Sequence, residues 1–449
     1  MSDAASTDTI AAIATASGKG AIGIVKVSGD RAAKIGSLIT GLQLQPRRAR
    51  YTSFNDAHGT TIDQGIALYF KGPDSYTGED VLELQSHGNH VLLDQLLQVA
   101  TAAGARPARP GEFTERAFLN DKLDLAQAEA VSDVIQASTA EAASAAVRSL
   151  QGEFSAQVAV ILDQLLNCRV FIESALDFAE EEIDFLKDTE LADRFATLDH
   201  NVSHLLLRSH EGALLRDGIS IVIAGLPNVG KSSLLNRLTG QDTAIVTDIA
   251  GTTLDVLKEK INIDGMPLHI IDTAGLRHSD DPIEQEGVRR AHDQINQADR
   301  ILFVVQAGTD PDASLLAELP ASIPVTIVQN KSDLKVSANP IGPAEDNHNI
   351  LVSAKTGEGI TDLREHLKQC AGFEKTTEGA LMARRRHIDA LLSAREHIKT
   401  AHNHLVAAGA GELAAEELRL AQDQINLITG EFTSDDLLGE IFSRFCIGK

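Results

Sequence analysis

The sequence predicts a multidomain protein that combines α/β parts with an all-α part. Residues 1–118 alternate short β-branched runs with turns and two helical stretches, which is typical of a mixed α/β domain. Residues 119–215 and 373–449 are rich in Ala, Leu, Glu and Gln at helical spacing. Residues 216–372 alternate strands and helices around a glycine-rich loop. We therefore expect a doubly wound α/β domain inserted into a helical bundle domain.

Length and charge limit what this chain can be. Its 449 residues allow about three domains of the usual size. The 64 acidic and 40 basic residues give a formal net charge of −24, which repels a nucleic-acid backbone at long range. A nucleic acid would therefore need a local basic patch. The densest basic runs are residues 47–50 (Arg-Arg-Ala-Arg) and 384–387 (Arg-Arg-Arg-His), although such runs are more often a solvated helix face or turn.

Three features predict a cytoplasmic protein. No stretch approaches eighteen uninterrupted apolar residues, so we expect no membrane-spanning helix and no membrane partner. The first residues lack a basic segment followed by an apolar core, so we expect no signal peptide. The three cysteines are widely spaced, which fits a reducing compartment and neither a disulfide framework nor a Cys-rich metal site; they are Cys168, Cys370 and Cys446.

A phosphate-binding loop occupies residues 225–232. It fits G-x-x-x-x-G-K-S and lies between the predicted strand 219–224 and the predicted helix 231–238. Its glycines let successive backbone N–H groups surround a triphosphate, Lys231 neutralises the β and γ oxygens, and the Ser232 hydroxyl can ligate Mg²⁺. The predicted nucleotide contacts in this loop are Asn228, Val229, Gly230, Lys231, Ser232 and Ser233.

Two segments follow this loop in the order of a switch-type nucleotide site. Residues 247–253 contain the threonine expected to complete the Mg²⁺ shell in switch I. Residues 272–275 end an apolar strand and offer a carboxylate near Mg²⁺ and a flexible glycine to the γ-phosphate. The predicted contacts in these segments are Thr247, Asp248, Ile249, Ala250, Gly251, Thr252, Thr253, Asp272, Thr273, Ala274 and Gly275.

Two later segments select the base. Asp333 can accept hydrogen bonds from the N1–H and the exocyclic amine that guanine has and adenine lacks, and such sites reject the wrong base by factors of roughly 10⁴ to 10⁵. Residues 353–355 supply a backbone contact to the guanine carbonyl. The predicted contacts here are Asn330, Lys331, Ser332, Asp333, Ser353, Ala354 and Lys355. Five motifs in this order specify a GTP-binding domain.

Further motifs carry a resemblance that covers essentially the whole chain. They are the tail 430–439 (Gly-Glu-Phe-Thr-Ser-Asp-Asp-Leu-Leu-Gly), the closing residues Phe-Cys-Ile-Gly-Lys at 445–449, and the runs 109–125, 76–81 and 247–253. With these motifs the sequence resembles the bacterial tRNA-modification GTPase family MnmE (TrmE). The resemblance implies an N-terminal folate-binding-like domain that also dimerises. It further implies a Ras-like G domain that splits the helical domain.

The resemblance implies an activity that the nucleotide motifs alone do not give. Family members act with a flavoprotein partner called MnmG (GidA). Together they install an aminomethyl or carboxymethylaminomethyl group at carbon 5 of the wobble uridine, position 34, of certain tRNAs. A tetrahydrofolate is the one-carbon source, and GTP hydrolysis drives conformational cycling. We therefore expect a homodimer that forms a heterotetramer or larger complex with the flavoprotein and meets tRNA mainly through that complex.

The resemblance also assigns ion and folate ligands. It places potassium at Asn228, Thr247, Ile249 and Thr252, and Mg²⁺ at Ser232 and Thr253. It places 5-formyltetrahydrofolate at Lys26, Glu83, Lys122 and Lys449. Two residues depart from the family pattern. Lys26 stands where Arg is expected, which keeps the positive charge but lacks the planar guanidinium that can donate two parallel hydrogen bonds. Leu254 replaces a common Arg beside switch I.

Catalysis is expected to need a water-orienting group outside the usual position. A Ras-like enzyme places Gln directly after residues 272–275, but Leu276 stands there and cannot hold a water. The resemblance assigns this role to Glu284, for which a helix N-terminal carboxylate is the alternative. No arginine finger is identifiable, so a monovalent cation is a reasonable source of positive charge. The predicted catalytic residues are Glu284 and Lys231, with Cys446 as a further candidate whose alternative is ordinary packing.

Two other functions stay open at this point. A ribosome-assembly or RNA-binding regulatory GTPase would carry a basic RNA-binding module such as a KH domain with its Gly-x-x-Gly loop. None stands out in the sequence, and the acidic charge argues against one. The other alternative is a folate-binding enzyme in which the G domain only regulates. The state of the wobble uridine in cells that lack the protein separates the first alternative from the leading hypothesis.

Overall fold

The structure is a computed structural model that describes residues 8–177, 189–239, 258–272, 296, 298–317, 319–334, 349–373, 379–430, 435–443, 445 and 448. The chain divides into two compact units. Unit 1 comprises Met1–Ser132, Ser149–Val202 and Asp389–Lys449, and unit 2 comprises Asp133–Arg148 and Ser203–Ile388. Within the described residues each unit contains a six-stranded sheet. The combination of α/β and all-α parts confirms the predicted fold class.

Unit 1 begins with a mixed sheet. Its strands are β1 (Thr9–Ile13), β2 (Gly20–Ser28), β3 (Arg50–Asn55), β4 (Thr61–Phe70), β5 (Val81–Gly88) and β6 (Ala105–Pro107), in the order β3-β4-β5-β2-β1-β6. β1 pairs parallel with β6, and the other pairs are antiparallel. The helices are α1 (Ala32–Thr40), α2 (His90–Ala102) and α3 (Glu112–Leu119).

The helix α3 adds a third helix to the two helical stretches expected before residue 118. It has only eight residues, and its buried positions include Glu112, Thr114 and Arg116. A helix of about two turns with polar residues among its buried positions is hard to recognise from apolar spacing alone. The prediction of two helices was therefore incomplete for this part of the chain.

Alternation along the strands decides which residues of this sheet are accessible. Val25 on β2 and Leu84 on β5 are fully buried in the core that also holds side chains of α1 and α2. Successive side chains on a strand point to opposite faces. Lys26 and Glu83 therefore lie on the face away from that core, and the antiparallel register places them directly opposite each other.

Four helices follow: α4 (Leu125–Gln136), α5 (Ala140–Leu150), α6 (Glu153–Asp177) and α7 (Thr189–Asp217). By length and composition alone, residues Glu153–Leu176 of α6 are apolar enough to cross a membrane, a test that the core helix of a bundle also passes. In the structure α6 packs along the helix Gly411–Thr429, where Arg169 donates to Gln422 at 2.9 Å. Its buried residues recur every three or four positions, as a bundle helix requires; they are Phe154, Val158, Ile161, Leu165, Cys168, Ile172 and Ala175.

Unit 2 contains the predicted doubly wound sheet. Its strands are β7 (Ile219–Ala224), β8 (Lys258–Ile263), β9 (Met266–Asp272), β10 (Arg300–Gln306), β11 (Val325–Asn330) and β12 (Asn349–Leu351), in the order β12-β11-β10-β7-β9-β8. β8 is antiparallel to β9, and the other pairs are parallel. The helices are α8 (Lys231–Thr239), α9 (Ala313–Ala317) and α10 (Ile360–Ala371), with a 3-10 turn at Ser332–Leu334.

Both faces of the second sheet are buried. On β7, Ile221 and Ile223 belong to the core that contains Leu234 of α8. Val222, between them, belongs to a separate core on the other face with Phe303 of β10. Parallel sheets that are covered on both faces read as continuous apolar runs, which is why the strand 219–224 was recognisable in the sequence.

Three helices complete the chain: α11 (Arg385–Ala408), α12 (Gly411–Thr429) and α13 (Asp435–Ser443). All three lie in the stretch predicted to be helical, 373–449. α12 begins with the small residue Gly411, which lies against Leu176 of α6. The tight approach fits the close packing of these two helices.

Candidate functional site

The glycine-rich loop of unit 2 connects β7 to α8. A Cβ at Gly225 would lie 2.2 Å from the carbonyl oxygen of Val304, and one at Gly230 would lie 2.4 Å from Nδ2 of Asn330. Both glycines have positive φ, 139° and 96°. Only glycine fits at these two positions. The helix begins at Lys231, so the backbone N–H groups of its first turn form the anion-binding end of α8.

Lys231 is folded back across this loop. Its ammonium donates to the carbonyl oxygens of Gly225 at 2.8 Å and Leu226 at 3.0 Å. The two residues after it, Ser232 and Ser233, are exposed in the first turn of α8. The loop therefore presents a cation and hydroxyl groups on the same end of the helix, as phosphate and Mg²⁺ binding requires.

Asn330 joins this loop to the segment expected to contact guanine. Its Nδ2 donates to the carbonyl oxygen of Val229 at 2.9 Å, and its Oδ1 accepts from the backbone N–H of Ala354 at 3.0 Å. The residue is 1% exposed. Because buried amides need partners for both ends, Asn330 fixes the loop and the Ala354 segment relative to each other.

Lys331 and Asp333 extend this arrangement. The Lys331 ammonium donates to the carbonyl oxygen of Asn228 at 2.7 Å, and both residues have positive φ. Asn tolerates this left-handed conformation better than most residues do. The buried Ser353 donates from Oγ to Oδ1 of Asp333 at 2.8 Å, which orients the carboxylate. The structure thus brings the predicted base-recognition residues to one edge of the sheet.

Arg237 is a contact of this site that sequence reasoning missed. Its guanidinium donates to the carbonyl oxygen of Thr356 at 3.2 Å and lies so close to Gly357 that a Cβ there would be 2.3 Å from Nη2. Arg237 is on α8, the helix that begins with Lys231. No motif marks this residue, because its partner is a backbone oxygen distant in sequence.

The remaining predicted residues of this site are only partly described. Asp272 ends β9 and pairs in register with Ile223, so its backbone lies at the carboxyl end of the sheet beside the glycine-rich loop. The other residues lie outside the described part of the chain; they are Thr247, Asp248, Ile249, Ala250, Gly251, Thr252, Thr253, Leu254, Thr273, Ala274, Gly275, Leu276 and Glu284.

A second site lies on the open face of the first sheet. The Lys26 ammonium is 3.8 Å from Oε1 of Glu83, and the two side chains are 17% and 22% exposed. The same ammonium is 5.3 Å from the ring centroid of Tyr76 and 5.6 Å from that of Phe113. These distances are in the range of cation–π contacts. Both aromatic residues lie in the motif runs 76–81 and 109–125, but nothing in the sequence assigns them to this site.

Tyr76 is held in place by its neighbours. Its hydroxyl is 2.8 Å from Oγ1 of Thr114, and burial raises the pKa of the phenol. The next residue, Thr77, is hydrogen-bonded to Ser28 at 2.7 Å, and Ser28 also donates to Glu79 at 2.7 Å. The ring therefore has a fixed position beside Lys26.

Lys122 joins the same turn from another segment. The Asn120 side chain donates to the carbonyl oxygen of Thr77 at 2.7 Å. Gly78 has a positive φ, and a Cβ on it would meet Cγ of Lys122 at 3.4 Å. The exposed side chain of Lys122 therefore passes over the turn that carries Tyr76.

The end of the chain reaches this sheet. A Cβ at Gly448 would lie 2.6 Å from the carbonyl oxygen of Ile13, at the end of β1. The following Ala14 donates to the carbonyl oxygen of Ile24 on β2, two residues before Lys26. The C-terminal residues thus lie close to the strand that carries Lys26. Cys446 and Lys449 themselves lie outside the described residues.

Comparison with known proteins identifies the family. The family model of the MnmE helical domain matches residues 125–446, and that of the GTP-binding protein TrmE N-terminus matches residues 9–122. The tRNA modification GTPase MnmE of Yersinia pseudotuberculosis serotype IB is 54% identical over 99% of both chains. The protein of the same name from Vibrio cholerae serotype O1 is 52% identical over 99% of this chain and 100% of its own. The chain belongs to the MnmE family of tRNA modification GTPases.

Proposed function

We propose that this GTP-hydrolysing enzyme of tRNA modification is potassium-dependent and acts with a flavoprotein partner. Its product is a tRNA whose wobble uridine, position 34, carries an aminomethyl or carboxymethylaminomethyl group at carbon 5. A tetrahydrofolate supplies the carbon. The observation that carries the proposal is the presence, in one chain, of a glycine-rich loop joined through Asn330 to the Ala354 segment and of a separate charged site in which Lys26 lies 3.8 Å from Glu83.

The nucleotide site supports GTP as the substrate. Asn330 connects the phosphate-binding loop to Ala354 through two hydrogen bonds. Ser353 orients the Asp333 carboxylate, which is the group that distinguishes guanine from adenine. Phosphate binding and base selection are therefore built from one connected set of contacts.

The described residues of the ion sites fit the proposed ions. Ser232 offers a hydroxyl oxygen and Asn228 an amide oxygen, both exposed beside the loop. Oxygen donors of this kind suit Mg²⁺ and other hard cations. Bound there, the ions would supply positive charge to the phosphate oxygens during hydrolysis. Thr253 for Mg²⁺, and Thr247, Ile249 and Thr252 for potassium, complete the proposed sets.

The side chains on the open face of the first sheet suit a folate. A pterin ring offers N–H donors that Glu83 can accept, and a flat ring suits the exposed face of Tyr76. The glutamate tail of a folate is anionic and suits the ammonium groups of Lys26 and Lys122. Lys449 would complete the site from the end of the chain that reaches β1. Lys26 in place of Arg provides a single point charge here and cannot donate the paired hydrogen bonds of a guanidinium group.

The proposal includes the assembly and the compartment. The protein forms a homodimer through its N-terminal domain, 1–118. The homodimer joins the flavoprotein MnmG in a heterotetramer or larger complex, and tRNA is held mainly by that complex in the cytoplasm. Catalytic roles are proposed for Lys231, for Glu284 as the residue that orients water, and for Cys446.

Mass spectrometry of nucleosides from tRNA tests this proposal. Cells that lack the protein should lose the wobble-uridine modification, and the unmodified chain should restore it. Asp333→Asn and Glu83→Gln should each fail to restore it, because one loses GTP recognition and the other folate recognition. Lys399→Gln, on the exposed surface of α11, is the control and should restore it fully. Normal modification in the deletion cells would contradict the proposal.

Turnover in different salts tests potassium dependence separately. GTP hydrolysis should fall strongly when sodium replaces potassium, because a cation that supplies charge to the transition state replaces an arginine worth about 10³ to 10⁵ in rate. Asn228→Ala should remove the difference between the two salts. Equal turnover of the unmodified protein in both salts would contradict this part of the proposal.

A further inference from the structure

Arg116 of α3 is a buried cation close to the site around Lys26, and the proposed function gives it no role. The residue is 6% exposed. One guanidinium nitrogen donates to both carboxylate oxygens of Glu79, at 3.1 and 3.0 Å. The other donates to Asp8 at 2.7 Å and to Glu112 at 3.3 Å. A buried charge needs partners of this kind, and here they come from three separate segments of unit 1.

Glu79 connects Arg116 to the turn that carries Tyr76. Its carboxylate accepts from the hydroxyl of Ser28 on β2 at 2.7 Å. The Ser28 hydroxyl is also 2.7 Å from that of Thr77, the residue directly after Tyr76. The carboxylate that Arg116 holds therefore fixes this turn against the strand that carries Lys26.

The helix α3 supplies the second ring beside the Lys26 ammonium. Phe113 is three positions before Arg116, so the two side chains are neighbours on the helix surface. The Phe113 ring is fully buried, and its centroid is 5.6 Å from the ammonium. Thr114, also on α3, lies 2.8 Å from the Tyr76 hydroxyl. The bond from Arg116 to Glu79 thus joins the element that carries one ring to the turn that carries the other.

We propose that Arg116 is a positioning residue for the site around Lys26. Its bond to Glu79 keeps the Tyr76 ring close to α3, so that both rings contact the Lys26 ammonium. Folate affinity depends on this arrangement, because the ring and the ammonium are groups that meet the ligand. The dependence of folate affinity rests on the proposed function, whereas the positioning rests on the contacts of Arg116.

Arg106 provides an internal comparison for Arg116. Its guanidinium donates to the same two carboxylates, Asp8 and Glu112. Among the described residues, Arg106 has no contact with Glu79, and its side chain is 40% exposed. The two arginines therefore share one ionic cluster and differ in the link to the Tyr76 turn.

Isothermal titration of the full-length protein with 5-formyltetrahydrofolate tests the proposal. Arg116→Gln should weaken binding about fivefold or more, as expected for Tyr76→Ala, because it releases the same ring. Arg106→Gln is the matched control and should keep most of the affinity. GTP affinity, which reports on unit 2, should be unchanged in every variant.

A second variant acts on the same link from the other side and is gentler on the fold. Glu79→Gln leaves Arg116 with Asp8 and Glu112 as partners, and its amide oxygen can still accept from Ser28. It removes a charge-assisted bond, so folate affinity should fall about threefold or more. If Arg116→Gln does not fold, as judged by circular dichroism, Glu79→Gln decides the outcome.

A double-mutant cycle separates positioning from a general effect on stability. If Arg116 acts through the Tyr76 ring, Arg116→Gln should cost at most about twofold in folate affinity when Tyr76→Ala is already present. The same loss in both backgrounds would show that Arg116 supports the domain as a whole and would contradict the proposal.

The position of the rings can also be measured without folate. In full-length protein whose lysines carry ¹³C-labelled dimethyl groups, which keep the charge, the rings of Tyr76 and Phe113 should shift the NMR signal of Lys26. The signal is identified by its loss in Lys26→Gln. It should move toward the position of exposed lysines in Arg116→Gln and stay in place in Arg106→Gln.

Two results would overturn the proposal. One is that Arg116→Gln and Glu79→Gln leave either the folate affinity or the Lys26 signal unchanged. The other is equal weakening of folate binding by Arg106→Gln and Arg116→Gln, because the link to Glu79 would then have no special part. Failure of the proposed function would look different: the protein without substitutions would not bind the folate, yet its Lys26 signal would still depend on Arg116.

Discussion

The side-chain amide of Asn330 donates to the carbonyl oxygen of Val229 at 2.9 Å, and this bond ties the base-recognition edge of the second sheet to the phosphate-binding loop. The same amide accepts from Ala354. A single buried side chain therefore sets the distance between the groups that hold the phosphates and those that hold the base. The bond from Arg237 on α8 to the carbonyl oxygen of Thr356 is a second link between these two parts of the site.

Asn330→Ala should weaken GTP binding strongly. It leaves the Val229 carbonyl and the Ala354 N–H without their partner, and each such loss costs about 1 to 3 kcal/mol. The two losses together cost at least about 2 kcal/mol, so we expect the Kd to rise roughly 30-fold or more, measured by titration with a fluorescent GTP analogue. The same substitution at the exposed Asn236 on α8 is the control and should have little effect. An unchanged Kd for Asn330→Ala would show that the loop is positioned by other contacts.

Arg237→Ala should speed the release of bound nucleotide. The Arg237–Thr356 bond holds the segment after residues 353–355, which are expected to contact the base, against α8. An exposed hydrogen bond is worth about 0.5 to 1.5 kcal/mol, so the dissociation rate should rise roughly 2- to 10-fold. Stopped-flow displacement of a fluorescent GDP analogue measures this rate. Arg419→Ala, on α12, is the matched control, and equal release from all three proteins would refute the role of Arg237.

Removing residues 445–449 should abolish wobble-uridine modification, weaken folate binding and leave GTP binding intact. The end of the chain packs on Ile13, beside the strand that carries Lys26, whereas the nucleotide site lies in unit 2. Isothermal titration with 5-formyltetrahydrofolate and with GTP separates the two effects. Equal folate affinity of the truncated and full-length proteins would remove the C-terminus from the site.

Tyr76→Ala should weaken folate binding more than Tyr76→Phe. The alanine variant loses the ring beside Lys26, and ring stacking and cation–π contacts together contribute about 1 to 2.5 kcal/mol. We expect a loss of about fivefold or more in 5-formyltetrahydrofolate affinity. The phenylalanine variant loses only the bond to Thr114 and should stay within about threefold. Tyr51→Ala is the control on the same sheet, and similar losses in all three variants would contradict a specific role for the Tyr76 ring.

The nucleotide site was predictable because its motifs are local. Gly225, Gly230 and Lys231 are set by one loop, and the strand 219–224 is marked by its apolar run. The strand β7 has the predicted bounds, and the sheet of unit 2 is doubly wound as expected. These parts depend on residues that are close together in the sequence, and a sequence motif reveals such residues directly.

Other features could not be predicted because they depend on contacts between distant segments. The Arg237–Thr356 bond joins residues that are 119 positions apart in the sequence. Tyr76 meets Lys26 only after β2 and β5 pair. The contact of Arg384, in one of the two basic runs, likewise depends on where Asp133 lies after folding. Composition does not reveal any of these relationships.

Transfer of an isotopically labelled carbon tests the central claim most directly. Purified protein, the flavoprotein, GTP, potassium, unmodified tRNA and a tetrahydrofolate labelled at its one-carbon group should be combined, and the wobble nucleoside analysed by mass spectrometry. We predict that the label appears in the substituent on carbon 5, and that Asp333→Asn or omission of GTP prevents this. Modified wobble uridine without the label, or labelled product formed equally well without this protein, would contradict the proposed function.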